Sequence, residues 1–240
     1  MPLRVATANI LSPHTHRLRM QTPPQYERIP QIAQDIQILD PDVLVICEIQ
    51  TSSAEDYLAK LTSETGLEVR IQAEQKDADE GIAILTKPDI DTSNVTSFEI
   101  VPGERRFGIA AKIGNVTLVG VHYPWQISRF RKRTEITQRL LESTQAQQQV
   151  VIAGDFNSLP QHRARRLFTQ AGFLAATQAL DRQTSGFPAN YRHSQLPLGI
   201  GNLVPRMQLD DIYSKGFAQH AVEAVVTASD HPILCTELVD

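Results

Sequence analysis

The residues best equipped for chemistry in this chain are scattered along it, but each falls where an apolar run gives way to a polar group. Leu3–Ala8 runs into Asn9, Val43–Cys47 into Glu48, and Val116–Val121 into His122. Val150–Ala153 runs into Gly154-Asp155-Phe156-Asn157, Gln208-Leu209 leads to Asp210-Asp211, and Ser229-Asp230-His231 precedes the last apolar run. Carboxylates at 48, 155, 210 and 230 and imidazoles at 122 and 231 suit the hydrolysis of a phosphate ester. That reaction needs an anion neutralised, a water activated and a leaving oxygen stabilised. A hard cation such as Mg²⁺ prefers oxygen ligands and often takes only one or two protein carboxylates. It then serves as Lewis acid and template. A histidine oriented by a carboxylate can act as acid, base or phosphate donor.

Taken singly, each residue has a plainer reading. Glu48 could be a strand-end charge reaching water, and His122 a satisfied half-buried histidine. Gly154–Asn157 could be only a turn, since Gly, Asp and Asn are turn residues. Asp210 could be a loop carboxylate or a helix cap, and Ser229–Pro232 a turn into the final strand. It is the ordered combination, at the ends of apolar strands, that points to a ligand site, because ligands of open α/β sheets gather at one end of the strands. Other chemistries find no support. There is no cysteine–histidine zinc spacing, no G-x-x-x-x-G-K phosphate loop and no G-x-S-x-G elbow.

These residues must be held by alternating strands and helices. Leu3–Ala8 reads as a strand. A helix within Tyr26–Leu39 carries Ile29, Ile32, Ala33 and Ile36 on one face, with Pro30 placed in its first turn, where a missing N–H costs little. Asp42–Ile49 is a nearly continuous apolar run, the mark of a central strand buried on both faces. Ser52 and Glu55 form a capping-box pattern ahead of a helical stripe at Ala54, Tyr57, Leu58 and Leu61. Strands follow at Val69–Ala73, Gly81–Thr86, Val95–Val101 and Phe107–Ile113, and Gly114-Asn115 is a hairpin signal into Val116–His122. Helices read over Arg133–Gln147 and Arg163–Ala171, with a short strand at Gln149–Ala153 between them. Thr184–Pro205 is irregular, and stretches of this length are usually functional or flexible loops. Strands near Met207–Ser214, Ala221–Thr227 and Pro232–Leu238 close the chain. No internal repeat is visible in the sequence. Residues 1–240 read as one α/β domain with more than one sheet layer.

Composition bounds the rest. The 240 residues carry a net charge of −4, with 41% hydrophobic and 21% charged residues, ordinary values for a globular protein. A net negative charge argues against coating nucleic acid through a broad basic face, though not against a local patch. Cys47 and Cys235 lie in apolar runs and read as buried free thiols. No signal peptide and no run of membrane-spanning length is seen, so a cytoplasmic location is the default expectation.

The ordered motifs resemble the endonuclease/exonuclease/phosphatase superfamily, from Arg4 to Leu238. Val5–Asn9 looks like its opening strand and asparagine. Pro41–Glu48 looks like its "PD-apolar-x-Q-E" strand, with Cys47 where glutamine is usual. Gly81–Leu85 resembles "G-x-A-I-L", and Leu209–Tyr213 resembles "I-D-Y-I-F", which aligns Asp210 with the functional aspartate. His122, Gly154–Asn157 and Ser229–His231 match its remaining motifs. The resemblance implies a four-layer α/β sandwich, with two mainly antiparallel sheets packed face to face and flanked by helices. It also implies a Mg²⁺- or Mn²⁺-dependent phosphoesterase. Glu48 would be the main metal ligand, with Asn9 and Asp230. Asp155 would position or deprotonate the attacking water, and Asn157 would bond that water or a phosphate oxygen. His231, held by Asp210, and His122 would contact phosphate from two sides, and Glu80 would orient His122.

The substrate is less legible. Arg129-Phe130-Arg131-Lys132-Arg133 follows Trp125 and crowds the start of a helix, where the dipole disfavours cations. An anionic partner would relieve that conflict, and Trp125, Arg129, Arg131 and Lys132 could meet a nucleotide backbone and base. A solvated face is the plainer reading, and it is also the expectation for Arg163, Arg165 and Arg166. A phosphodiester in nucleic acid or a nucleotide is the leading substrate class. A small molecule or lipid headgroup is the alternative, and a non-catalytic binding protein on the same fold is a minor one. No obligate protein partner is evident.

Overall fold

The computed structural model describes residues 2–11, 25–50, 57–74, 80–102, 106–124, 130–180, 209–225, 227–229 and 231–240. They form, in order, β1 (Leu3–Asn9), α1 (Gln25–Leu39), β2 (Val43–Gln50), α2 (Tyr57–Thr65), β3 (Glu68–Glu74), β4 (Glu80–Thr86), β5 (Thr92–Val101) and β6 (Arg106–Ile113). Then come β7 (Val116–His122), α3 (Phe130–Thr144), β8 (Val150–Asp155), α4 (Arg163–Gln170), β9 (Leu174–Ala175), β10 (Asp210–Lys215), β11 (Ala218–Val225) and β12 (Ile233–Val239). The capping-box pattern at Ser52 and Glu55 and the irregular run from Thr184 lie outside the described residues. No helix among those described is long and apolar enough to cross a membrane.

Two six-stranded sheets stack face to face, ordered β11-β12-β1-β2-β4-β3 and β5-β6-β7-β8-β10-β9. Both are mainly antiparallel, and each has one parallel pair at its centre, β1 with β2 and β7 with β8. The period-2 alternation of the strands explains the layering. In β2, Val43, Val45 and Cys47 face the other sheet, while Leu44 and Ile46 face α1 and α2. Val151 and Ala153 of β8 likewise join the middle layer, and Val150 and Ile152 pack with Ile136 and Leu140 of α3. Three apolar layers therefore bind four layers of structure, as the family resemblance implied.

The strand orders share one pattern. Advancing every strand of the second sheet by six positions, counting around from β12 to β1, reproduces the order of the first. The crossover helices correspond as well, α1 between β1 and β2 and α3 between β7 and β8. Contacts between the sheets follow suit: β1 faces β8 and β10, as β7 faces β2 and β4. The chain thus has an internal structural repeat that its sequence does not display.

Three sequence expectations need correction. Pro30 is not in a first turn: the helix begins at Gln25 and Pro30 lies inside it. A proline there leaves the carbonyl four residues earlier without its helical donor. That carbonyl belongs to Tyr26, and the Lys60 ammonium of α2 donates to it at 3.1 Å while lying 3.7 Å from the Tyr26 ring centroid. Glu48 does not end β2. It sits in a β-bulge between Cys47 and Ile49 with φ +61°, and pairing resumes beyond it. The short β9, too brief to leave a pattern in the sequence, was not expected.

Gly154 shows why the 154–157 motif starts with glycine. Its φ is +141°, and a Cβ there would lie 1.9 Å from the Val121 carbonyl oxygen of β7. The obstacle is backbone, so no side-chain shift relieves it. Gly154→Ala is expected to cost about 3 kcal/mol or more, lowering the Tm by about 10 °C. A thermal melt of the variant within about 2 °C of wild type would refute that reading.

Candidate active site

The two parallel pairs end at the same place, and there the polar residues meet. Asn9 closes β1 and is buried. Its Nδ2 donates to Glu48 Oε1 and to Asp155 Oδ2, both at 2.9 Å, and its Oδ1 accepts from the Leu11 N–H at 3.0 Å. One amide therefore joins a carboxylate of its own sheet to a carboxylate of the other. His122, at the end of β7, places Nε2 3.6 Å from Glu48 Oε1 and 3.8 Å from Asp155 Oδ2.

Asp155 is held from several sides. Asn157, in a left-handed conformation at φ +45°, donates its backbone N–H to Asp155 Oδ1 at 2.7 Å. Its Nδ2 donates to Asp155 Oδ2 at 3.1 Å and to the Tyr123 carbonyl at 2.9 Å. Asp210 opens β10 directly opposite Asp155, and its Oδ2 is hydrogen-bonded to His231 Nδ1. Asp210 Oδ1 is buried with no hydrogen-bond partner among the described residues. Burial and the neighbouring Asp210 carboxylate push the Asp155 carboxyl up to about 6, against the lowering influence of His231 and of the Asn157 and Asn9 donors.

Two sets of donor atoms lie within 4.8 Å of one another: Glu48, His122 and Asp155, and Asp155, Asp210 and His231. Oxygen-rich and sharing Asp155, they suit a hard divalent cation with imidazole help. The buried carboxylates, one oxygen of which lacks a donor, are the kind of charge excess such a cation offsets.

The family model described as Endonuclease/Exonuclease/phosphatase family matches residues 6–231. The chain belongs to this family. Its members are generally hydrolytic phosphoesterases that use divalent metals. No match was found among curated proteins. Solved structures share the fold across nearly the whole chain. A conserved protein of unknown function from Enterococcus faecalis superposes with a TM-score of 0.77 at 18% identity, covering 99% of each chain. The catalytic domain of human nocturnin gives 0.71 at 18% identity, over 99% of this chain and 94% of that one. A mannosyl-6-phosphatase of Bacteroides thetaiotaomicron gives 0.71 at 18% identity, over 99% of this chain and 100% of the other.

Of the residues singled out from this family's motifs, Asn9, Glu48, His122, Asp155, Asn157, Asp210 and His231 converge here. Glu80 opens β4 opposite Gln50, just past the Glu48 bulge. Asp230, Trp125 and Arg129 lie outside the described residues. Arg131 is exposed and Lys132 half-buried in the first turn of α3, which carries no acidic residue.

Two cations read from the sequence proved to be something else. Arg165, expected on a solvated face, is buried and paired with Asp211. It also donates to Tyr213 Oη at 2.8 Å and to the Ser158 carbonyl at 3.1 Å, which ties down the turn that carries Asn157. Arg133, the last of the basic run, is buried and donates to the Pro124 carbonyl at 2.8 Å, two residues past the end of β7. Arg28 is its counterpart. Each is the fourth residue of its crossover helix, and Arg28 Nη2 donates at 2.7 Å to the Leu11 carbonyl, two residues past the end of β1. Sequence reading missed Arg28 and Gln25. A polar pair on the helix flank facing the strand ends was the available signal.

The raised Asp155 pKa has a defined consequence for stability. An unfolded aspartate ionises near 3.9. The folded, metal-free protein keeps that proton to about 6. Between these values the folded state binds more protons, so this group's contribution to stability falls as pH rises through the window and stays low above it. Asp155→Ala removes the effect. The variant's stability relative to wild type, in chelator, should therefore improve by roughly 2–3 kcal/mol between pH 4 and pH 7. A pH-independent difference in denaturant melts would show that Asp155 ionises normally.

Proposed function

We propose that the chain is a divalent-metal-dependent phosphoesterase that cleaves a phosphodiester of nucleic acid or a nucleotide by direct attack of water, with residues 1–240 acting as one catalytic unit. The observation that carries the reading is the Glu48–Asn9–Asp155 bridge facing the Asp210–His231 pair, since each sheet supplies part of it. Glu48, with Asp230 and with Asn9 as its orienting neighbour, would hold Mg²⁺ or Mn²⁺, which supplies charge neutralisation and Lewis acidity when bound.

The chain's own residues divide the remaining work. Asp155 accepts a proton from water as the water oxygen attacks phosphorus and the bond to the leaving oxygen breaks. Asn157 spends its donors on Asp155 and the Tyr123 carbonyl, which keeps the base aimed. His231, oriented through Nδ1 by Asp210, presents Nε2 to a phosphate oxygen, and His122 does so from the other side. No serine or cysteine nucleophile motif is present, which supports a single displacement without a phosphorylated enzyme.

The substrate class rests on α3. Arg131 and Lys132 stand in its first turn, where the helix dipole already makes the potential positive. A polyanion offsets both. The net charge of −4 favours the second reading, a phosphatase or phosphodiesterase of a small molecule or lipid headgroup. The fold also serves the mannosyl-6-phosphatase of Bacteroides thetaiotaomicron.

Hydrolysis of an aryl phosphodiester and of single- and double-stranded DNA and RNA, with Mg²⁺, Mn²⁺ or chelator, tests the proposal. Wild type should cleave in a metal-dependent way. Glu48→Ala, Asp155→Ala and His231→Ala should lose at least about a hundredfold in rate while remaining folded. A chelator-resistant activity, or full activity in these variants, would sink it. Reversing charge at Arg131 and Lys132 should weaken cleavage of polynucleotides more than of the aryl ester. An equal effect on both would favour the small-substrate reading.

A further inference from the structure

The bulge that carries Glu48 creates a bonding problem that one side chain solves. At a bulge the ladder is interrupted, and backbone groups near the extra residue need other partners. Here Gln25, the first residue of α1 and completely buried, reaches in from the flanking helix. Its Nε2 donates to the Glu48 carbonyl at 2.7 Å and to the Leu11 carbonyl at 3.1 Å, and its Oε1 accepts the Gln50 N–H at 2.9 Å. Only a primary amide offers two donors and an acceptor at one tip. A carboxylate would turn lone pairs toward two carbonyls, a cation would leave the Gln50 N–H unmet, and a methionine would satisfy none of the three.

Arg28, one turn later, extends the brace. Its Nη1 donates to the Ile10 carbonyl at 2.7 Å and to the Ala228 carbonyl at 2.9 Å, beside its bond to Leu11. Ser229, next to Ala228, donates its hydroxyl to the Asn9 carbonyl at 2.6 Å and accepts the His231 N–H at 3.4 Å. One turn of α1 thus grips the segments that present Asn9, Glu48 and His231. Two of the gripped backbones are left-handed at non-glycine residues, Leu11 at φ +58° and Glu48 at φ +61°. Such conformations persist only where surrounding bonds determine them.

We propose that Gln25, supported by Arg28, is the positioning residue for the metal-ligating carboxylate. Its amide fixes the Glu48 backbone, and so the direction in which the carboxylate meets a divalent cation. The inference rests on the metal-dependent reading above. It makes cation affinity, rather than fold stability, the property that Gln25 sets.

Calorimetric titration of the metal-free protein with Mn²⁺, alongside thermal melts, tests it. Gln25→Met, and the isosteric Gln25→Glu in case the first does not fold, should weaken Mn²⁺ binding about 10- to 100-fold, the usual cost of removing a partner that orients a ligand. Leu61→Ala, a buried truncation in α2, provides a destabilised control that should keep the wild-type affinity. A folded Gln25 variant that binds Mn²⁺ as tightly as wild type overturns the inference. So does an equal loss in Leu61→Ala, or failure of both Gln25 variants to fold, since Gln25 would then serve the fold alone. Wild type that binds no Mn²⁺ refutes the metal-dependent reading itself, a result distinct from all of these.

Discussion

Asn9 donates from a single amide nitrogen to Glu48 in one sheet and to Asp155 in the other, and the architecture of the site turns on that bridge. Donor atoms of the two acids lie within 4.8 Å of each other. Two unit charges about 4 Å apart repel by about 4 kcal/mol at an effective dielectric constant near 20. Fixed N–H donors oppose that repulsion only if they cannot turn away. The Asn9 oxygen is accordingly held by Leu11, and the second donor to Asp155, the Asn157 amide, is held by the Tyr123 carbonyl. The close approach of β8 to β7 at Gly154 brings Asp155 to this point, and the β2 bulge turns Glu48 toward it. Each feature would be a defect in a plain sandwich, and each has its reason in the need to keep unlike chain segments around shared charge.

The same device secures both strand exits. Arg28 and Arg133 come from equivalent turns of the two crossover helices, are both buried, and both donate to a carbonyl two residues beyond a central strand. A guanidinium suits this work because its several donors are fixed in a plane and its charge is not lost on burial. These arginines hold backbone in place. In the run from Arg131 to Arg133, one residue is exposed, one is half-buried and one is buried, so a cluster of like charge divides between the surface and the frame.

Much of this was legible in the sequence because it was local. Apolar runs marked β1, β2, β7 and β8, and a polar residue at each run's end marked the site, since burial pattern and strand period are written in adjacent residues. The Gly114-Asn115 turn was readable for the same reason. What escaped was non-local. The place of Pro30 depends on Lys60 from another helix, and the burial of Arg165 depends on Asp211, 46 residues on. The Glu48 bulge rests on Gln25, 23 residues earlier, and no period or propensity records such a pairing. The structural repeat escaped for a related reason: strand order is a property of pairing, and quite different apolar residues fill equivalent positions.

That repeat bears on how the site came to hold unlike groups. Two identical half-length chains packed about a dyad could set matching strand ends face to face, but every substitution would then occur twice. Joined in one chain, the halves are free to diverge. At the ends of the corresponding strands β1 and β7, Asn9 stands in one half where the other has His122. A symmetric frame with asymmetric contents places an amide at one strand exit and an imidazole at its counterpart, a difference that a homodimer of identical halves could not keep.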